Sequence, residues 1–583
     1  MKKKLTRLLA MLCCAALLLA LGGCGNSVAS VAEASAAEAP AEEPAAEEPA
    51  AEPEEADASA EEALPEASAE EPASAVEEAA EEAPVFVDTW EWPVEEDATL
   101  TLWYAYPPFV PNFYESADDM PDFVYCQEQT GIDLVFTEAT FASAQENLTL
   151  MLASGDYPEM IFNMSNYVTT NLEYAVNEDI AQDLAPYLQE YMPNYSNVFY
   201  SNDEYVKKAT TDAGYIGAVY ELNDLEANEG INKSGPVIRS DWLEQAGLDI
   251  PQTYDDYYEV LKAFQSNCAS PLWMPYTGAY TAGVFAAGFG VTAETSTSKA
   301  FINVDGTVKF CPLEEGYEDY LKLMNQWYSE GLIDSDFISE TSNANAPTND
   351  AIAAEEIGVW SAAANLMDYS SLGNENVVVC AATDPVKEVG DTTMFGDKTA
   401  ALGTEVVITT NCEQLELAMR WCDWWYTEDG YYTANYGIEG VSFEFDADGN
   451  AKYTDVILNP ADTTINIAQS LYTCGNGMLL CVQDPERAYQ WYTEDKIEAE
   501  KLWATVSKAT ALMPTLSLTA EESDVLGKSY SDIQTYLETM IPKFIMGTES
   551  FDNWDSFIQA IKDMNIDECI AVEQAALDRY NAR

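Results

Sequence analysis

Apolar positions along the chain fall into three regimes. Leu8 to Leu21 form a nearly unbroken apolar run, and Val31 to Pro84 hold almost only Ala, Glu, Pro and Ser. From Val85 onward, apolar and polar residues alternate with the periods of strands and helices. The stretch "ATLTLWYAYPPF" (Ala98 to Phe109) is β-branched and aromatic and stops at two prolines, which predicts a strand running into a loop. "GIDLVFTEA" predicts a second strand, and "SAQENLTLMLASGDYPEMIFNMS" a helix, a turn and a third strand. Strand, helix, strand at this spacing implies a parallel sheet, whose carboxyl ends feed loops that line a crevice.

Helix starts are well punctuated further on. Ser240 precedes "DWLEQAG" with Gly247 placed to end the turn. Thr253 and Asp256 have capping-box spacing ahead of "YDDYYEVLKAF", and Asn411 with Gln414 repeats it ahead of "LELAMRWCDWWYTEDG". "FEFDADGNAKYT" (Phe443 to Thr454) alternates on both sides of Asp448-Gly449 and predicts a hairpin. Asp446, Asp448 and Asn450 share the opening spacing of a calcium loop. Ala451 stands where that loop needs glycine, however, and no glutamate follows at the twelfth position, so a hairpin turn is expected and no metal site.

The first two regimes change the picture of where the chain resides. Lys2, Lys3, Lys4 and Arg7 precede an apolar run shorter than the roughly 20 residues of a membrane span. Leu21-Gly22-Gly23-Cys24 resembles a bacterial lipobox, which implies cleavage before Cys24 and attachment of lipid to it. Each buried CH2 of such a chain contributes about 0.8 kcal/mol, so anchoring would be firm. An ordinary secretory leader with an incidental cysteine is the alternative, and either implies export. Residues 24–84 then read as a tether: Val31 to Pro84 carry 19 acidic and no basic residues, and Pro40, Pro44, Pro49 and Pro53 interrupt any helix.

Charge and residue usage then exclude function classes. The chain carries 25 Lys and Arg against 102 Asp and Glu, a net charge of −77. Without leader and tether about −62 remains, which repels nucleic acid and anionic lipid and suits a neutral or cationic ligand. The chain has no histidine, which removes Ser-His-Asp and Cys-His catalysis, histidine-ligated zinc or haem, and a histidine base. No GxxxxGK[ST] loop and no GxGxxG opening a helix occurs, so no nucleotide cofactor is expected. Nine cysteines follow Cys24 with no CxxC among them. Most are expected to be small buried residues, with one bridge, Cys474 to Cys481, left open.

Several segments together resemble a known family. They are "LASGDYPEMIF" (Leu152 to Phe162), "VIRSDWLEQAGLDIPQTYDDYYEVLKAF" (Val237 to Phe264), "YSEGLIDSDF" (Tyr328 to Phe337), "AMRWCDWWYTEDGYYTANYGIEGVSFE" (Ala418 to Glu444) and "FIMGTESFDNWDSFIQAIKDMNIDECI" (Phe544 to Ile570). Their order and spacing are similar to the lipid-anchored extracellular solute-binding proteins of ABC importers, in the branch that handles sugars and oligosaccharides. The resemblance implies an α/β, two-lobed fold of the type II periplasmic-binding-protein kind. Each lobe is a mixed, mainly parallel sheet flanked by helices, with a hinged cleft between the lobes. By order along the chain it puts lobe 1 at about 98–220 plus 376–435 and lobe 2 at about 221–375 plus 436–583, with hinge crossings near 215–223 and 376–383. It further implies a monomer that binds a small-molecule solute, hands it to ABC permease subunits, and needs no cofactor.

A sugar site needs aromatic plates against C–H faces and paired donors and acceptors for hydroxyls. With 13 Trp and 34 Tyr the chain supplies the plates. Candidates after the first strand are Tyr104 and Tyr106, beside Trp103; after "PEMIF" they are Asn163 and Ser165, with Tyr167 nearby. "PLWMPYTGAY" offers Trp273, Tyr276 and Tyr280, and "EIGVWSAAAN" offers Trp360, where the resemblance places cleft aromatics. Arg239 and Glu439 complete the set. Core packing is the competing reading for each aromatic, and a buried ion pair for Arg239; Trp421, Trp424 and Trp425 on one helix are expected in the core. Two alternatives stay open. One is the same fold binding peptides or polyamines, and the other is a secreted glycoside hydrolase, whose two carboxylates need no histidine. An adhesin would show repeats, and none occurs.

Overall fold

The computed structural model describes residues 85–583 except 95–97, 169–171, 276–278, 297–299, 339–348, 365–366, 368–375, 397–399 and 474–479. The leader, Cys24, the tether, Tyr276 and Cys474 therefore lie outside the described residues. Among these residues no helix is long and apolar enough to cross a membrane.

Fourteen strands are described. The first four are β1 (Ala98–Tyr106), β2 (Ile132–Thr140), β3 (Met160–Phe162) and β4 (Val219–Asn223). They are followed by β5 (Ser234–Arg239), β6 (Ser270–Leu272), the hairpin of β7 (Phe301–Val304) and β8 (Thr307–Phe310), β9 (Ile357–Ala363), β10 (Val379–Ala381) and β11 (Leu402–Ile408). The hairpin of β12 (Phe443–Phe445) and β13 (Ala451–Tyr453) precedes β14 (Val482–Gln483). Two sheets organise the molecule, one ordered β14-β4-β11-β3-β1-β2 and the other β10-β5-β9-β6. β1 is parallel to β2 and to β3, as the spacing along the sequence predicts. β11 is antiparallel to both β3 and β4.

Packing follows from the strands. β1 is interior and covered on both faces: Leu100, Leu102 and Tyr104 join Phe123, Phe162 and Trp421 on one side, while Trp103 and Ala105 join Leu148 and Ile161 on the other. Trp424 and Trp425 fall in the first of these cores, as expected. The second sheet rests on a larger core that includes Tyr257, Phe264, Tyr317, Trp327, Phe544 and Leu577. Thr253 and Asp256 form the expected capping box on the helix Tyr254–Phe264, and Gly247 closes the preceding helix with φ 68°. Asn411 does not cap its helix: its Nδ2 donates to the carbonyl of Tyr157 at 2.9 Å, and the helix Leu415–Trp424 begins after Gln414 without a side-chain cap. The expected hairpin is β12–β13, with Asp446 Oδ1 accepting the N–H groups of Asp448 and Asn450 across its turn.

The chain passes between the sheets three times. Residues 224–233 lead from β4 to β5, residues 382–401 from β10 to β11, and residues 484–493 from β14 to the helix Glu494–Val506, which packs on β5 and β10. The expected crossings at 215–223 and 376–383 instead include β4 and β10, each a strand of one sheet, and the passage begins just after them. The lobe limits differ from expectation at one further place: the described residues of 436–483 belong with the first sheet. Asn435 Oδ1 accepts the N–H of Asp484 and its Nδ2 donates to the carbonyl of Val482, which pins β14 beside β4. At Gly403 a Cβ would lie 2.1 Å from Glu221 Oε2, so a side chain there would push the Glu221 carboxylate aside.

Candidate ligand cleft

Strand direction locates the cleft. The first crossing leaves β4 at its carboxyl end and enters β5 at its amino end, so these two ends face each other. Register then assigns the other strands. Tyr106 pairs with Thr140, and β3 runs the same way, so the carboxyl ends of β1, β2 and β3 share the crest with Asn223 and with Leu402 at the start of β11. Opposite them, Ser234 pairs with Ala363, and β6 runs parallel to β9, so the residues after Leu272 and Ala363 come up beside Ser234. The cleft is thus walled by strand carboxyl ends from both lobes, the usual place for a ligand in an open α/β sheet.

Of the residues singled out from the sequence, Tyr106, Asn163, Ser165 and Trp273 stand on this crest. Tyr106 and Asn163 are half-buried and Ser165 is exposed. Asn163 adopts φ 51°, opening the short helix Met164–Tyr167. Its N–H donates to the carbonyl of Glu405, and the N–H of Ser165 to Glu405 Oε1, both at 2.7 Å. One acidic residue on β11 thereby holds the loop after β3.

The structure places five candidates otherwise than as open contacts. Tyr104 is fully buried, its ring met edge-on by Phe123 and Phe162, because a core packs on its face of β1. Trp360 is also fully buried: it lies on β9 between β5 and β6, in one cluster with Trp273 and Trp503 beneath the helix Glu494–Val506. Trp273 itself is only 3% exposed, a wall of the crest rather than an open plate. Arg239 lies at the carboxyl end of β5, the end remote from the cleft. There it is fully buried, bonded to both oxygens of Asp241 at 2.9 and 2.7 Å and stacked 4.2 Å from the centre of the Trp242 ring. Glu439 is exposed in the turn after the helix Glu428–Tyr436, bridged to Phe443 at the start of β12. Trp103 is buried as well, its Nε1 donating to Asn147 Oδ1 at 2.8 Å.

A groove of about 1820 Å³ opens between the lobes, and Ser165, Tyr220, Glu405, Asn232, Ser507 and Ser517 are among its lining residues. Sequence reasoning missed Tyr220 and Glu405. The available signal was a lone acid inside the apolar run "GTEVVI", since a buried polar residue carries more information than an exposed apolar one. Burial raises the Glu405 carboxyl above its usual range, against the pull of the Ser165 N–H. Tyr220, opposite Glu405 in register, is raised by burial and by that carboxylate. Glu221 is pushed up by burial too, while Thr404 and Gln483 donate to it. Because Glu405 pairs with Tyr220, the adjacent Glu221 points to the other face of the sheet. These two buried acids cannot flank one scissile bond as a glycosidase pair must. Burial also pushes the thiols of Cys380 and Cys412 up to about 11, so neither is an activated nucleophile.

At the hinge, Asp384 accepts hydrogen bonds from Ser507 Oγ at 2.5 Å and Thr393 Oγ1 at 3.3 Å, and burial pushes its carboxyl up to about 6. The second crossing is tied there to the end of the helix Glu494–Val506 through the Thr393 N–H to the carbonyl of Val506 and the Lys508 N–H to the carbonyl of Thr393, each at 3.0 Å.

Comparison with known proteins matches residues 106–432 to the model of the bacterial extracellular solute-binding protein family. Lipoprotein LipO of Bacillus subtilis is 28% identical over 255 residues, which is 42% of this chain and 46% of LipO, so the match spans less than half of that relative. The fructooligosaccharide ABC transporter substrate-binding protein FusA of Streptococcus pneumoniae is 23% identical over 522 residues, 84% of this chain and 92% of FusA. The crystal structure of the alginate-binding protein AlgQ2 without calcium ion has a TM-score of 0.66 at 22% identity, covering 83% of this chain and 99% of that one. Two sheet-centred lobes joined by three crossings are the type II fold of these proteins, and the family match covers more than half of the sequence. The chain belongs to the bacterial extracellular solute-binding protein family.

Proposed function

We propose that this protein is the substrate-binding component of an ABC importer. It is held outside the membrane by lipid on Cys24, captures an oligosaccharide by closure of its lobes, and delivers it unaltered to a permease. The carrying observation is the opposition of strand carboxyl ends across a cleft spanned by three crossings, an arrangement in which a ligand that touches both lobes shifts the population toward a closed form. A groove of about 1820 Å³ exceeds the roughly 300–1,000 Å³ of ordinary small-ligand sites and favours a chain of several rings. FusA, whose name specifies fructooligosaccharides, directs the choice toward sugars. Contacts are assigned to Ser165, which lines this groove, to Tyr106 and Asn163 on the crest beside it, and to the loop after Trp273, with Tyr276, on the other lobe. The tether of residues 24–84 spaces the lobes from the membrane.

Thermal unfolding against a panel of fructo- and uronate oligosaccharides, peptides and polyamines tests this reading. A ligand at about 100 times its Kd adds roughly 2.7 kcal/mol to the native state, which raises Tm by several degrees. Stabilisation by one sugar class is expected, and stabilisation by peptides or polyamines alone would transfer the fold to another ligand. Tyr106→Ala and Tyr276→Ala are each expected to raise the Kd for that sugar about 2- to 10-fold, from the ~0.5–1.5 kcal/mol of one aromatic contact. Calorimetric titration of each variant measures it.

A further inference from the structure

A cluster of charged groups joins the lobes away from the three crossings. Asp212 stands between the helix Asp203–Ala209 and β4, in the part of lobe 1 whose Tyr205, Ala209 and Ile216 enter the core of the first sheet. Arg579 and Arg583 belong to the helix Ile566–Ala582 and the residue after it, whose Ile566, Leu577 and Tyr580 enter the core of lobe 2. Asp212 Oδ2 accepts from Arg579 Nε at 2.6 Å, and its Oδ1 accepts from Arg583 Nε at 2.9 Å and Nη2 at 2.6 Å. Arg579 is also gripped from its own lobe, its Nη1 and Nη2 donating to Glu522 at 2.8 and 2.6 Å. Arg583 Nη2 donates to Ser517 Oγ at 2.8 Å, and Lys207 of lobe 1 lies 4.7 Å over the Tyr580 ring.

We propose that Asp212, Arg579 and Arg583 form a latch that holds the two lobes in the observed arrangement. Three features separate it from a surface ion pair. Both Asp212 oxygens are used by two guanidinium groups, geometry that gives the stronger charge-assisted bonds. Asp212 and Arg583 have side chains only 15% and 10% exposed, so solvent screens them little. Ser517 and Glu522 fix the arginines within lobe 2, so that rotation of lobe 1 must pull Asp212 out of a preformed socket and leave buried charge unpaired. Arg583, Tyr580, Thr210 and Ser517 also line the groove between the lobes, so making or breaking the latch changes that groove directly. The latch is independent of which solute is bound.

The test is a distance measurement across the latch in the full chain. Nitroxides are placed on two introduced cysteines, Asp203→Cys on lobe 1 and Ala575→Cys on lobe 2, both at exposed positions. Protein without these changes sets the labelling background. With the latch intact, one narrow distance population is expected. With Arg583→Gln or Asp212→Ala, the distribution is expected to broaden and shift to longer distances while the far-UV circular dichroism stays native. An unchanged narrow distribution in a natively folded Arg583→Gln protein overturns the latch, whatever Asp212→Ala does. So does a broad distribution in the protein with the latch intact.

Discussion

Trp503→Ala is expected to destabilise the protein by about 3–5 kcal/mol, the range for truncating a buried tryptophan. Trp503 is fully buried on the helix Glu494–Val506, the first element after the third crossing. Its ring lies so close to Gly235 that a Cβ there would stand 2.4 Å from it, and its Nε1 donates to the carbonyl of Pro236 at 3.3 Å. It covers the face of the second sheet that carries Trp273 and Trp360. Removing it opens a cavity beneath the wall of the cleft, so the loop after Trp273 loses support along with the sheet. Urea unfolding followed by circular dichroism reads the loss of stability. Gly235→Ala, which pushes into the same ring, is expected to destabilise in the same direction.

The second large effect is a rise in stability as pH falls. Burial pushes the Asp423 carboxyl up to about 7 against donation from the Tyr195 and Asn194 N–H groups. Burial and the neighbouring Glu522 push Glu573 up to about 7, and burial pushes Asp384 up to about 6. A carboxyl raised in the folded state binds its proton more tightly there than in the unfolded chain. Its contribution is therefore complete below the unfolded value near 4 and is lost as pH rises through 6 to 7. Groups lowered in the fold, such as Asp256 and Glu330, stay ionised above pH 5 and add nothing in that window. Between about pH 7.5 and 5.5, Asp423 and Glu573 each contribute on the order of 1–2 kcal/mol. Relief of the large negative charge acts in the same direction. Tm is expected to be higher at the lower pH, and Glu573→Gln to flatten the slope. A Tm that falls steadily over this window would refute the assignment of these buried acids.

Much of the fold was legible because local signals agreed with the global arrangement. The parallel β1, β2 and β3, the Thr253–Asp256 capping box, the Gly247 stop and the hairpin at Asp448-Gly449 each rest on neighbours in sequence. The tryptophans of Leu415–Trp424 read correctly as core for the same reason. What could not be read depends on distant partners. Asn411 has capping spacing, yet the carbonyl of Tyr157 competes for its amide. Tyr104 and Trp360 look like plates near strand ends, but apolar cores pack on both faces of their strands, so alternation carries no information about exposure. Arg239 was misplaced by direction alone: β5 enters from the hinge, which puts its arginine at the far end. Glu405 and Tyr220 come together only because β11 returns from lobe 2 to lie between β3 and β4, a pairing of positions 185 apart in sequence.

The central claim is capture without chemistry, and isothermal titration of the protein with the oligosaccharide that stabilises it most tests this directly. Capture without chemistry gives a saturable heat with one site per chain and a sugar recovered intact from the cell. A heat that continues after saturation with the sugar recovered cleaved, or no heat with any oligosaccharide while a peptide or polyamine binds, would contradict it.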